Sequence, residues 1–137
     1  SDVCSSDLDT WRECTSLTSF PLLNTSNVTS FFVTWALCTN LASISAVDMS
    51  SALNLSYTFD GCAALAYLPV MDTSVGADFT GMMRNCTSLV CISGINTLAQ
   101  TVTTDMFLNT PLLAAPNGAE QLAIEAGSNY INPGACP

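Results

Sequence analysis

Apolar residues recur along the chain with a period of 24 residues, and polar positions recur between them. A cysteine marks each copy of the pattern, at Cys14, Cys38, Cys62 and Cys86. A leucine follows three residues later, at Leu17, Leu41, Leu65 and Leu89. An Asn or Asp stands ten residues after each cysteine, at Asn24, Asp48, Asp72 and Asn96. A fifth copy has Thr110 at the cysteine position. Copies of one length predict stacked repeats that bury their apolar residues against their neighbours.

The spacing within one copy predicts a short helix followed by a short strand. Phe79, Met83 and Cys86 lie at i, i+4 and i+7, which is the spacing of one helix face. Asp78 can accept a hydrogen bond at the start of that helix, and Asn85 tolerates the left-handed conformation that ends one. Residues 89–92 then read as a brief strand whose copies would pair in parallel. We therefore predict an α/β repeat solenoid of about five coils, each with a short parallel strand and a short helix.

The pattern divides the chain into three parts. Residues 1–8 read SDVCSSDL, match no position of the repeat, and match the translation of a common short-read sequencing adapter. We expect them to be a non-native tail, with upstream repeats of the same chain missing; the alternative is a genuine flexible tail. Residues 9–116 form the repeat array. Within residues 117–137, Asn117 precedes a predicted capping helix over 118–126 that would cover the last coil, and a tail follows.

Composition narrows the possible partners. With 49% hydrophobic residues the chain is too apolar to be disordered, and outside the repeat pattern we find no apolar run long enough for a membrane span. The net charge is −9, and Arg12 and Arg84 are the only cationic side chains. Because binding to phosphates needs many cations, we expect no nucleic-acid partner. Most exposed positions must then be uncharged, which favours an extracellular or virion surface.

The column of Cys14, Cys38, Cys62 and Cys86 is interpreted as structural. Cysteines in register lie on a line, whereas a tetrahedral zinc site needs four sulfurs around one point. Their Cβ vectors would run parallel, which opposes the dihedral angle of a disulfide. We therefore predict a ladder of buried thiols that pack as small apolar side chains. The alternative is pairing of Cys14 with Cys38 and of Cys62 with Cys86.

Cys91 and Cys136 lie outside that column. A disulfide between them would hold the C-terminal tail across the sheet, provided that the compartment is oxidising. The alternatives are two exposed thiols, or a bond from Cys91 to Cys86.

The residue types argue against catalysis and against a bound cofactor or metal. The chain has no histidine, so it cannot form a Ser-His or Cys-His nucleophile pair. Asp72 and Asp78 could form an acid/base pair, but their turn and cap positions favour a structural role. A calcium site at Asp48 and Asp72 lacks any binding-loop spacing. We predict no catalytic residue, no cofactor and no metal site.

The exposed side of the predicted strands is the candidate binding surface, which we call the strand face. Its residues are Thr18, Ser19, Ser43, Ser45, Tyr67, Pro69, Val90 and Ser93. The face is nearly uncharged and rich in small residues, and Tyr67 is its one aromatic residue. Because aromatic side chains dominate binding hot spots, Tyr67 is the best candidate for a contact. The alternative is a face that is merely solvated.

The segments CTSLTSFPLLNTSNVTSFF (residues 14–32) and MMRNCTSLVCI (residues 82–92) resemble the BspA-like leucine-rich-repeat surface proteins. The resemblance extends from residue 9 to about residue 116. It implies a leucine-rich-repeat-like fold and a non-enzymatic surface domain that binds protein or glycan on a cell surface, as bacterial adhesins do. Two alternatives remain: a tail-associated host-recognition or structural protein of a phage virion, and an accessory binding domain of a larger secreted enzyme. All imply an extracellular, cell-surface or virion location.

The nature of residues 1–8 can be tested on the source DNA. Long reads across the 5′ edge of the gene should show further 24-residue repeats in place of SDVCSSDL. Native reads that encode SDVCSSDL would contradict the adapter hypothesis and would make the N-terminal segment genuine.

Overall fold

The structure, a computed structural model, describes residues 11–111, 124, 127, 129–131 and 136. Its strands are β1 (Ser19–Phe20), β2 (Ser43–Ile44), β3 (Tyr67–Met71), β4 (Cys91–Asn96) and β5 (Asn129–Ile131). β1 pairs with β2 and β3 pairs with β4, both in parallel, and β5 lies antiparallel to β4. The parallel partners are 24 residues apart, as in Tyr67 opposite Cys91. Neighbouring repeats therefore lie side by side at the strands.

The predicted α/β leucine-rich-repeat-like solenoid is wrong. The described part of the chain is nearly helix-free, with 2% of residues in helices, and its parallel strands form two small two-strand pairings. Among the described residues only Ile124 lies in an α-helix. Where a helix was predicted in each repeat, including residues 79–86, the chain instead forms a series of turns.

The turns form because backbone N–H groups alternate between two directions. Tyr57 N–H donates to Thr80 O (2.8 Å) and Phe59 N–H to Met82 O (2.9 Å), both in the next repeat. The N–H group between them belongs to a β-turn, since Thr58 donates three residues back to Leu55. An α-helix requires each N–H to bond four residues back. The apolar spacing of i, i+4 and i+7 therefore arises here without a helix.

Left-handed residues recur at two positions of each repeat. One column, with φ between 47° and 56°, contains Val33, Tyr57, Gly81 and Asp105. The other, with φ between 59° and 75°, contains Glu13, Leu37, Gly61, Asn85 and Asn109. A residue with positive φ at the third position is the mark of a type II turn, as in the turns closed by Thr34 and Cys38 N–H groups. The left-handed conformation that was predicted to end a helix at Asn85 therefore belongs to these turns, as does that of Gly61 and Asn109.

The core is built of buried columns between the strands and the turns. Its largest member, Trp35, is fully buried between Trp11 and Phe59, at ring-centroid distances of 5.9 and 5.3 Å. The three rings are nearly parallel, with interplanar angles of 8° and 7°. Buried Met83 and Phe107 occupy the same position in the following repeats. Trp35 Nε1 is buried and has no hydrogen-bond partner among the residues that the structure describes, which carries a desolvation cost of about 1–3 kcal/mol.

Asx turns lie between each strand and the series of β-turns that follows it. Oδ1 of the Asn or Asp accepts the N–H group two residues later, which holds for Asn24, Asp48, Asp72 and Asn96. Asp78, which was predicted to begin a helix, makes the same bond to Thr80, and Asn54 makes it to Ser56. These short side chains therefore satisfy the backbone at turns instead of at helix ends.

Two predicted parts of the chain fall largely outside the described residues. The adapter-like residues 1–8 are outside them altogether. Of the capping helix predicted over 118–126, only Ile124 is described, and it is helical and buried.

Trp35→Ala should lower the free energy of unfolding by about 3–5 kcal/mol, because it leaves a cavity in the aromatic column. Trp35→Phe is the matched control and should cost far less, since Phe59 fills the same position in the next repeat and the unbonded N–H is removed. Urea denaturation followed by far-ultraviolet circular dichroism measures both. Equal losses for the two variants would contradict the stacking argument.

Candidate functional site

Four strands carry the strand face. Ser19 and Ser43 are register partners on β1 and β2, as are Tyr67 and Cys91 on β3 and β4. The exposed members of the predicted face are Thr18, Ser19, Ser43, Ser45, Tyr67 and Val90. Pro69 and Ser93 are half-buried. The parallel pairing therefore presents these side chains in short rows across the repeats.

A depression of about 290 Å³ lies in the middle of this face. Four predicted face residues line it, Ser43, Tyr67, Pro69 and Ser93, together with Cys136. Thr18, Ser19, Ser45 and Val90 do not line it. Tyr67 is 39% exposed, so its ring is available at the depression. The structure thus brings together half of the predicted face and leaves the other half around it.

A disulfide joins Cys136, near the C-terminus, to the strand face. Cys91 is bonded to Cys136, with a Cα–Cα distance of 5.8 Å and a sequence separation of 45 residues. β5 also pairs with β4, where Ile95 is the register partner of Tyr130. Cys91, the register partner of Tyr67, is therefore bonded to Cys136, and Cys136 lines the depression.

The cysteine column contains three free, buried thiols: Cys38, Cys62 and Cys86. Each Sγ donates to a backbone carbonyl 27 residues earlier, at sulfur–oxygen distances of 3.0 to 3.1 Å, and the acceptors are Trp11, Trp35 and Phe59. Cys14 is also buried but is disulfide-bonded, so the predicted ladder of four thiols does not include it. At Thr110 the hydroxyl donates within its own repeat to Phe107 O (2.7 Å).

Burial keeps the three thiols protonated. Desolvation raises the pKa of Cys38 and Cys62, and it raises the pKa of Cys86 to about 12. A thiol is a nucleophile or metal ligand only as the thiolate. The cysteine column therefore suits packing and hydrogen bonding to the backbone rather than chemistry.

A second depression, which the sequence analysis missed, lies on the turn side of the molecule. We call it the turn-side pocket; its volume is about 260 Å³ and its lining includes Arg12, Phe32, Ala36, Leu37, Tyr57, Asp60 and Arg84. Arg12, Ala36, Asp60 and Arg84 occupy the same position in four successive repeats. The 24-residue period was therefore a signal that could have placed Asp60 beside Arg84.

An ion pair anchors one end of this pocket. Arg84 Nε donates to Asp60 Oδ1 (3.1 Å) and Arg84 Nη2 to Asp60 Oδ2 (2.7 Å), while Asn85 Nδ2 also donates to Asp60 Oδ1 (3.1 Å). The hydrogen bond to Asp60 raises the pKa of Arg84. The Arg84 guanidinium lies 4.9 Å from the centroid of the Tyr57 ring, within the range of a cation–π contact.

The acidic turn residues are engaged by the backbone. Asp48 Oδ1 accepts from both the hydroxyl and the N–H of Ser50, and these bonds lower the pKa of Asp48. Asp72 and Asp78 accept the backbone N–H groups of Ser74 and Thr80. No group of three or more His, Cys, Asp or Glu side chains suited to a metal occurs in the part of the chain that the structure describes. Within that part no helix is long and apolar enough to cross a membrane.

Comparison with known proteins adds no relative. A scan against protein-family models finds no match, and neither a curated protein nor a solved structure matches the chain. The resemblance to BspA-like proteins stays a prediction.

The buried thiols should make the protein less stable in alkaline solution. Because burial raises their pKa above the ordinary 9.0, the folded state keeps protons that the unfolded state has lost. For Cys86 the stabilisation is complete below pH 9.0 and is lost as the pH rises towards about 12, by about 1.4 kcal/mol per pH unit. Urea denaturation from about pH 8 to about pH 10.5 measures the slope.

Cys86→Ala is the control for the alkaline slope. It removes one thiol and leaves every tyrosine in place, so the loss of stability with pH should become shallower. The same slope in this variant and in the unchanged chain would contradict the assignment to the thiols.

Proposed function

We propose that this chain is a non-enzymatic surface domain that binds a protein or glycan on a cell surface through the strand face. The observation that carries the proposal is the depression in that face. Ser43, Tyr67, Pro69 and Ser93 come from three repeats and meet there, with one partly exposed aromatic ring among small polar side chains. A concave site with an aromatic anchor is the usual form of a binding hot spot.

The location we propose is extracellular, at a cell surface or on a virion. The disulfide between Cys91 and Cys136 supports it, since disulfides persist in oxidising compartments. The rarity of charged residues, at 9% of the chain, leaves recognition at the strand face to shape, aromatic contact and neutral hydrogen bonds. The sequence resemblance to bacterial surface proteins supports adhesion as the role.

Cys136 contributes to the proposed binding site. Because Cys136 lines the depression and is bonded to Cys91, the disulfide helps to hold the lining of the depression in place. A wall held before binding lowers the ordering cost that association must overcome.

Tyr67→Ala should weaken binding to target cells at least about tenfold, because it removes the aromatic anchor. The fluorescently labelled chain is incubated with a panel of intact bacterial and animal cells, and binding is measured by flow cytometry over a range of concentrations. Val70→Ala, on the exposed side of the same strand but outside the depression, is the matched control and should bind as the unchanged chain does. Equal binding by Tyr67→Ala and the unchanged chain, or no saturable binding to any cell, would refute the proposal.

A further inference from the structure

The pairing of strands on the strand face is interrupted where the depression lies. β2 and β3 belong to neighbouring repeats, yet they lie in different sheets. Ala42 N–H donates to Thr18 O (2.9 Å) in the preceding repeat. In the same way, Val90 N–H donates to Ala66 O (3.0 Å). The corresponding bond from Ala66 N–H to Ala42 O is absent from the described part of the chain. Backbone groups between β2 and β3 are therefore left to bond with water or with a ligand.

Three hydroxyl groups around the depression are available to a ligand. Those of Ser43, Tyr67 and Ser93 make no hydrogen bond within the residues that the structure describes. In the turns, by contrast, the hydroxyls of Ser50 and Ser56 each donate to a neighbouring side chain. A hydroxyl can donate one hydrogen bond and accept two. The depression therefore offers both donors and acceptors, as the hydroxyls of a sugar require.

Two flat side chains lie between the two serine hydroxyls. Tyr67 and Pro69 belong to β3, whereas Ser43 belongs to β2 and Ser93 to β4. The Tyr67 ring is partly exposed at the depression. The negative face of an aromatic ring attracts the weakly positive C–H groups of a saturated ring such as a pyranose. The depression therefore combines an apolar surface with hydroxyl groups on both sides of it.

The lining of the depression disfavours charged and large ligands. None of the described residues that line it is charged, so a carboxylate or an ammonium group bound there would lose water without gaining an ionic partner. The net charge of −9 adds long-range repulsion against anions. The volume of about 290 Å³ lies at the lower limit of the roughly 300–1,000 Å³ that is typical of ligand pockets. The site therefore suits one compact, uncharged group.

We propose that the depression on the strand face binds a neutral hexopyranose unit of a cell-surface glycan. This inference rests on the proposed function and names the ligand class of that same site. One face of the sugar ring packs on the Tyr67 ring, and the sugar hydroxyls bond with those of Ser43 and Ser93. Peptides are commonly bound along a sheet edge or a groove that holds several side chains, whereas this depression holds one compact group.

The test is an NMR titration of the ¹⁵N-labelled full chain with the methyl pyranosides of glucose, galactose and mannose. At least one of them should shift the amide signals of Ser43, Tyr67 and Ser93 and saturate with a Kd on the order of 1 mM. The sodium salt of the corresponding uronic acid should bind at least about tenfold more weakly, because its carboxylate meets no cation. The proposal would be overturned by the absence of saturable shifts with all three hexosides, or by equal binding of a hexoside and its uronic acid.

Ser43→Ala should weaken hexoside binding about fivefold, because it removes one hydrogen-bonding hydroxyl. Ser19→Ala is the matched control, since Ser19 is the exposed register partner of Ser43 and lies outside the depression, and it should leave binding unchanged. Tyr67→Phe keeps the aromatic ring and should retain more of the binding than Tyr67→Ala. Equal binding by Ser43→Ala and Ser19→Ala would contradict the assignment. Retained amide dispersion in each free variant verifies that it is folded.

Cell binding separates this inference from the proposed function. A saturating concentration of the hexoside should displace the labelled chain from target cells, and periodate oxidation of the cell-surface glycans should abolish the binding. Saturable, Tyr67-dependent cell binding that neither treatment changes would overturn the sugar assignment and leave the strand face as a protein-binding surface. The absence of both saturable cell binding and hexoside shifts would refute the inference and the proposed function together.

Discussion

Hydrogen bonds between successive repeats determine the arrangement of the turn side. Alternate N–H groups donate to carbonyls 23 residues further on, as Tyr57 does to Thr80 and Phe59 to Met82. Each such bond uses a donor that an α-helix would need for itself, so the chain forms turns instead. The same bonds hold neighbouring repeats in register, which places like residues beside one another in the core. The aromatic column, the row of thiols and the pockets on both sides all depend on that register.

The 24-residue period was enough to predict which residues lie side by side, but it was not enough to predict the backbone between them. The spacing of Phe79, Met83 and Cys86 reports which side chains are buried, and a run of turns buries them as well as a helix does. The backbone conformation depends on whether each N–H group donates within its own repeat or to the next repeat. The residue types give little indication of that direction. Gly61 and Asn85 hint at left-handed positions, yet Leu37 and Tyr57 adopt the same conformation with ordinary side chains.

The two candidate sites differ in how far the sequence could predict them. Ser43, Tyr67 and Ser93 could be grouped because they occupy nearby positions of different repeats. The depression among them also depends on Cys136, which lies outside the repeats. The 24-residue period therefore could not predict the position of Cys136. The turn-side pocket was missed for another reason. Ala36 lies at the bottom of this pocket only because the stacked repeats place Arg12 and Asp60 on its two sides. A small residue by itself does not predict a pocket.

The position of the aromatic column has a spectroscopic consequence. The chain has two tryptophans, Trp11 and Trp35, and they stack on each other in adjacent repeats. Further along, Phe59, Met83 and Phe107 occupy the same position. The tryptophan emission of the protein therefore reports on its first repeats. Loosening around Phe107 would not be detected by tryptophan fluorescence, whereas separation of the two indoles would be detected even while the rest of the stack stayed folded.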